Sequence, residues 1–220
     1  MKPTNILTQT QLNFLDLFSE SELTKDFYLS GGTALTGFYL PYRFSEDLDF
    51  FSEKEFDLQT VIIFLKSIKD RLGYHELDIN SSFNRNLVFL KFKDETLKIE
   101  FTYYPFPQAN SASKYKNISI DSLEDIATNK LFTIYQKPRS RDFIDLYLIC
   151  QKESLSIPHL IKKAKIKFDW HVDPIKLGSQ FLLCQETKDF PNLIVKLKES
   201  DWQNFFLNEA KALNPQIFSV

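Results

Sequence analysis

The chain has 220 residues, 43% of them apolar and 25% charged, which fits one large or two small folded domains and excludes a mainly disordered chain. No apolar run approaches the roughly 18 residues of a membrane span. The opening Met1-Lys2-Pro3-Thr4-Asn5 lacks the apolar stretch of a secretory signal, so a cytoplasmic protein without membrane contact is expected. Cys150 and Cys184 lie in apolar stretches without metal-ligand spacing and read as buried thiols in a reducing compartment. With 22 Phe against 1 Met, the core is expected to rest on Phe, Leu and Ile. The net charge of −2 divides into −5 over residues 1–113 and +3 over 114–220. An acidic half before a basic half suits a metal site beside a nucleotide surface, although so small an asymmetry also arises by chance.

Taken in chain order, the apolar spacing predicts a helix over about Thr8 to Ser19, a short strand at Phe27 to Ser30, and a helix over Thr33 to Tyr39. Asp47-Leu48-Asp49-Phe50-Phe51 alternates as a strand with one wet face. Asp57 to Leu72 follows the helical period, with Asp57 as N-cap and Gly73 as stop. Strands are expected at Tyr74 to Phe83, Asn86 to Phe92 and Leu97 to Tyr103. Gln108 to Lys116 reads as a polar loop, and Ile118 and Ile120 as a last short strand. Beyond Asp121 the pattern is helical, at about 122–136, 140–151, 157–167, 174–186 and 200–213.

Three of the five glycines fall between Gly31 and Gly37. Gly31-Gly32, between a strand and a helix, permits positive φ and close backbone approach. The helix that follows aims its free N–H groups, with the Ser30 and Thr33 hydroxyls, at a spot suited to a triphosphate; a tight turn without a ligand is the other reading. Asp47 and Asp49, two apart on a strand, face the same way and repel unless a cation lies between them. That pair suits Mg²⁺ shared with phosphate oxygens, and a solvated strand edge is the alternative. Glu100 lies opposite the apolar Leu97, Ile99 and Phe101, flanked by Lys98 and Thr102. Beside the Asp47 strand it completes a three-carboxylate cluster able to hold two metals about 3.5–4 Å apart; otherwise it is a surface residue paired with Lys98.

Leu29-Ser30-Gly31-Gly32-Thr33-Ala34-Leu35, followed by Tyr42-Arg43-Phe44-Ser45-Glu46-Asp47-Leu48-Asp49-Phe50-Phe51, resembles the AbiEii/AbiGii toxin family of nucleotidyltransferases, within the DNA polymerase β-like superfamily. Lys130-Leu131 and Arg139-Ser140-Arg141-Asp142-Phe143-Ile144-Asp145-Leu146-Tyr147 match its second block, a helical Lys and an Arg-Asp-x-x-Asp-Leu element. The resemblance covers roughly residues 27–150. It departs from the superfamily at Glu100, where the third carboxylate is more often Asp.

The apolar pattern gives an α/β half followed by an α half joined near residues 105–120; together with the resemblance, which matches nothing over 150–220, the expectation is an α+β fold, with a nucleotidyltransferase-like mixed sheet and flanking helices over 1–117 and a C-terminal helical bundle over 118–220. The resemblance implies Asp47, Asp49, Lys130 and Asp145 as catalytic residues. Nucleotide binding falls to Ser30, Gly31, Gly32, Thr33, Ser45, Lys130 and Asp142, and Mg²⁺ (or Mn²⁺) to Asp47, Asp49 and Glu100. Asp145 orients Lys130, binds a nucleobase or activates an acceptor hydroxyl; Asp142 is equally an ordinary charge at a helix start. The implied reaction moves NMP from an NTP to an acceptor hydroxyl, with RNA of the tRNA kind preferred, as the toxin of a toxin–antitoxin or phage-abortive system with a cognate antitoxin on another chain. A small-molecule nucleotidyltransferase of the antibiotic-modifying type and a non-catalytic nucleotide-binding module are the alternatives. The basic run from Lys162 to Lys167 could follow RNA phosphates but is expected to be a solvated face.

Overall fold

The computed structural model describes residues 1–110 and 112–213. Of the loop expected over Gln108 to Lys116, Ser111 lies outside the described residues. The described residues divide into two compact units: 1–107 with 112–122, and 108–110 with 123–213.

The first unit carries α1 (Gln9–Ser19), a 3-10 turn (Glu22–Lys25), β1 (Tyr28–Ser30), α2 (Gly31–Phe38), β2 (Asp47–Ser52), α3 (Leu58–Ser67), α4 (Lys69–Leu72), β3 (Glu76–Ser82), β4 (Arg85–Lys91), β5 (Thr96–Tyr103), β6 (Ser113–Tyr115) and β7 (Ile118–Ile120). Its seven strands form one mixed sheet in the order β3-β4-β5-β2-β1-β7-β6. β2 runs parallel to β5 and antiparallel to β1, and β1 runs parallel to β7. That parallel pairing places β7 in this unit, although it lies beyond the division expected after residue 117.

Local chemistry sets several element ends. Thr8 caps α1 and closes a capping box with Gln11. Asp57 accepts from the Gln59 N–H at the start of α3. Gly73, at φ 84°, ends α4 in the left-handed region. The helix expected across 57–72 is interrupted at Ile68, which takes φ −93°, ψ −1°. The loop expected after Gln108 holds a strand, β6, because tertiary bonds fix a polar segment. Tyr115 donates to Asp16 Oδ1 at 2.6 Å, and Asn117 donates to the Ser19 carbonyl at 3.0 Å.

One face of the sheet carries the core. Leu48 and Phe50 of β2, Ile99 and Phe101 of β5, Val88 of β4 and Leu29 of β1 are wholly buried. Phe18 of α1 lies tilted against Phe50 at 4.3 Å between ring centroids, and Phe64 of α3 meets Phe18 edge-on at 5.5 Å. The second unit is helical: α5 (Leu123–Gln136), α6 (Ser140–Glu153), α7 (Ile157–Phe168), α8 (Pro174–Leu182) and α9 (Glu199–Ala212). The helix expected to reach residue 186 ends at Leu182 and tightens into a 3-10 turn, Leu183–Gln185. Phe143, Phe181, Trp202 and Phe206 fill its core. Both cysteines are buried and unpaired, and burial pushes the Cys150 and Cys184 thiols up to about 12 and about 11.

Replacing Phe50 by Ala is expected to cost about 3–5 kcal/mol, because the surrounding rings cannot close the cavity. Phe83→Ala, at a fully exposed hairpin tip, stays within about 0.5 kcal/mol. Urea unfolding of the two variants checks the contrast.

Candidate active site

The parallel register places Asp47 opposite Lys98 and Asp49 opposite Glu100. Strand alternation turns Leu48, Phe50, Ile99 and Phe101 into the core, and so turns all three carboxylates onto the opposite face. Two cations stand among them. Lys98 Nζ donates to Asp47 Oδ2 at 2.7 Å. The Arg85 guanidinium, from β4, donates to Glu100 Oε2, and Thr102 Oγ1 donates to Glu100 Oε1 at 2.7 Å. The bond to Glu100 holds the Arg85 pKa above its ordinary value against the opposing effect of burial, and the charges of Glu100, Asp49 and Asp47 add to it.

Among the described residues, no three His, Cys, Asp or Glu side chains gather in an arrangement able to hold a metal. The donor chemistry of Asp47 and Asp49 nonetheless fits Mg²⁺, which takes one or two carboxylates and completes its shell with water and substrate phosphate.

The glycines serve two different needs. α2 begins at Gly31 itself, with φ 69°, and a Cβ there would collide with Asp49 Oδ2 and stand 3.0 Å from its Cγ. Gly32 has no positive φ, contrary to the expectation for the pair. Its missing side chain makes room for Arg43 and Ser45: a Cβ would lie 2.6 Å from an Arg43 Nη and 2.9 Å from Ser45 Oγ. The two hydroxyls expected to point at an anion are engaged within the protein. Ser30 Oγ donates to Asp121 Oδ2 at 2.6 Å, in buried surroundings. Thr33 Oγ1 donates to the Asp47 carbonyl and lies 2.8 Å from Ser45 Oγ. No side chain caps the start of α2. A buried guanidinium, Arg43, beside the positive end of a helix makes this corner attractive to anions.

The second unit holds its own charged cluster. Lys130 Nζ lies 2.7 Å from Asp142 Oδ1 and 2.6 Å from Asp145 Oδ2. Asp142 and Asp145, one helical turn apart on α6, are fully buried. Arg139 Nε adds a bond to Asp142 Oδ2 at 2.7 Å. Burial pushes the Asp142 carboxyl up, but Lys130 and Arg139 outweigh it and hold the pKa below the ordinary value. The basic run of α7 is not the uniformly solvated face expected. Lys167 is buried against Asp125 at 2.9 Å, and Lys163 faces Glu124 at 3.4 Å. Its periodicity turns these two inward while Lys162 and Lys165 stay exposed.

Arg85, Lys98, Arg43 and Asp121 were not among the expected site residues. Arg43 stands inside the quoted linker and Lys98 beside Glu100, whereas Arg85 and Asp121 reach the site only through strand pairing.

Comparison with known proteins adds an independent line. Residues 13–215 match the family described as "Nucleotidyl transferase AbiEii toxin, Type IV TA system". The chain is 30% identical over 167 residues to the uncharacterized protein aq_aa25 of Aquifex aeolicus (strain VF5), a stretch covering 74% of this chain and 76% of that protein. A crystal structure of a proposed nucleotidyltransferase from H. pylori aligns at a TM-score of 0.60, with 24% identity, over 96% of this chain and 97% of its own. JHP933 from Helicobacter pylori aligns at 0.57, with 24% identity, over 96% and 94%. These two share the fold.

Gly31→Ala is expected to destabilise the protein more than Gly73→Ala. Both residues have positive φ, but an added Cβ meets nothing within 4 Å at Gly73 and displaces Asp49 at Gly31. Chemical unfolding measures the difference, and equal losses would contradict the close approach of Asp49. A second expectation concerns acid. Because the Asp142 pKa is depressed on folding, its contribution is complete above the unfolded carboxylate value of about 4 and is lost as pH falls through the folded value. Asp142→Asn should therefore lower stability at pH 7 by about 3 kcal/mol or more, and flatten the acid limb of the stability profile below about pH 4.

Proposed function

This chain belongs to the AbiEii nucleotidyltransferase toxin family and is a nucleotidyltransferase, and we propose that it moves NMP from an NTP to a hydroxyl of RNA in a metal-dependent reaction. The observation that carries the site assignment is the meeting of Asp49 with the first residue of α2, which puts a carboxylate pair and an anion-attracting helix start in one corner of the sheet. Asp47 and Asp49 would hold Mg²⁺ or Mn²⁺ together with phosphate oxygens. Glu100, bonded to Arg85 of β4 and to Thr102 of its own strand, is the third carboxylate that the resemblance implies and, among the described residues, belongs to no preformed three-ligand arrangement. When bound, the metal neutralises phosphate charge and polarises the α-phosphate.

The chain's own groups bind and orient. The start of α2 at Gly31, Gly32 and Thr33, with Ser30 and Ser45 around it, receives the triphosphate, and Arg43 adds positive charge there. The acceptor oxygen attacks the α-phosphorus, its proton passes to a carboxylate of the cluster, and the bond to the β-phosphate bridging oxygen breaks to release pyrophosphate. Lys130 and Asp145 are proposed for catalysis, and Lys130 and Asp142 for nucleotide binding, on the strength of the resemblance. What supports them in the geometry is that two buried carboxylates preset the ammonium.

Family membership also implies a nucleotide substrate and an antitoxin partner. RNA as acceptor, a role in phage-abortive defence and a cytoplasmic site of action are further parts of the proposal. Two unpaired thiols suit a reducing compartment, and among the described residues no helix is long and apolar enough to cross a membrane.

The test is incubation of the protein with α-labelled NTPs and Mg²⁺, offering total RNA, protein or small-molecule acceptors in separate reactions. Label is expected in RNA. Asp47→Asn and Asp49→Asn should each lower transfer by about a hundredfold or more, with melting temperature near wild type, because each removes charge from a wet face and no core contact. Label in a small molecule alone would move the acceptor class, and full turnover by either variant would remove the metal assignment.

A further inference from the structure

The carboxylate face of the sheet does not wait for metal as a bare anionic patch. Lys98 Nζ holds Asp47 at 2.7 Å, and Arg85 with Thr102 occupies both oxygens of Glu100. The contacts follow from register: Lys98 is the β5 partner of Asp47, and Arg85 reaches Glu100 from the β4 position opposite Thr102. Lys98 and Arg85 offset two of the three carboxylate charges, and Arg43 stands at the adjoining start of α2, so the face is a weak draw for a divalent ion in water.

We propose that Lys98 and Arg85 are built-in counter-ions that discourage a divalent metal from binding the carboxylates alone and admit it together with a nucleotide triphosphate. The proposal rests on the metal-dependent reading above. A metal ion arriving alone meets Asp47 already paired and two positive charges within the cluster. A triphosphate brings several negative charges, offers phosphate oxygens as ligands, and gives Lys98 and Arg85 a second anion to turn toward. Both side chains reach solvent: Lys98 is 31% exposed and Arg85 56%, unlike the buried carboxylate that Arg85 pairs with. They are positioning residues that act through Asp47 and Glu100, and the same charges keep the carboxylates from repelling one another in the resting protein.

The experiment measures Mn²⁺ binding to the full chain by electron paramagnetic resonance, alone and with α,β-methylene analogues of the four NTPs, which cannot transfer. Wild-type protein should bind Mn²⁺ weakly alone and tightly with an analogue. Lys98→Met keeps the aliphatic stem and removes the charge, and should tighten binding of Mn²⁺ alone by ~10-fold or more, narrowing the gap between the two conditions. Arg85→Met, at a solvent-reaching side chain, carries the same expectation and decides the matter if Lys98→Met does not fold. A residue that merely braced the sheet would lower both affinities or neither. Asp47→Asn separates the two levels of the argument. If it leaves Mn²⁺ binding with the analogue intact, the metal-dependent reading falls and this proposal with it. If it abolishes that binding while free Mn²⁺ affinity in Lys98→Met and Arg85→Met stays at or below wild type, the metal site stands and the counter-ion role is overturned.

Discussion

Phe50 of β2 lies nearly parallel to Phe101 of β5, 5.4 Å between ring centroids, with Leu48 and Ile99 buried alongside. This packing fixes the register of the two parallel strands. A slip of one residue would drive Asp47 and Asp49 into the phenylalanine cluster and expose the aromatic rings, at a cost far above the margin of a folded domain. Everything on the other face inherits its position from that constraint: Asp49 opposite Glu100, Lys98 on Asp47, and Asp49 over Gly31. The chemistry of the wet face is held by the hydrophobic effect on the dry one.

The two units manage charge in contrasting ways. On the sheet, the ion pairs are partly open to solvent, so salt screens them and incoming ligands compete for them. In the helical unit, Lys130, Asp142 and Asp145 are nearly closed to solvent, and Lys167 and Asp125 are closed. Removing a single member there strands a buried charge, which makes these groups costly to alter even where their direct part in chemistry is small. Asp125 also accepts from the Ala109 and Asn110 backbone N–H groups, so the same carboxylate ties a loop to two helices.

What the sequence disclosed follows from the range of its patterns. Period-two alternation put Asp47 and Asp49 on one face and Glu100 opposite its own apolar neighbours, the pairing of β2 with β5 brought the three together, and Asp57, Gly73 and the helical spacing marked most helices to within a few residues. Side-chain direction at Ser30 and Thr33 was not legible, because their partners, Asp121 and the Asp47 carbonyl, are distant in sequence. Arg85 was invisible for the same reason: only the β4–β5 hairpin register brings it to Glu100. β6 escaped notice because Ser113-Lys114-Tyr115 has no apolar alternation, and its strand form comes from pairing with β7. Lys167 shows the opposite failure, a charge in a basic run whose burial depends on one carboxylate across the bundle.

The parallel pairing of β1 with β7 and the bond from Ser30 to Asp121 join residues about ninety positions apart. Synthesis proceeds from the N-terminus, so β1 and the residue that leads into Gly31 lack these partners until the chain has been made past Asp121. Until then the middle of the sheet ends in an open edge, and Ser30 has no carboxylate to donate to. A message broken before that point yields a polypeptide that contains every carboxylate of the sheet cluster, yet lacks the strand that closes the sheet beside it. Acquisition of the arrangement around β1 is thus deferred until more than half of the chain has been made.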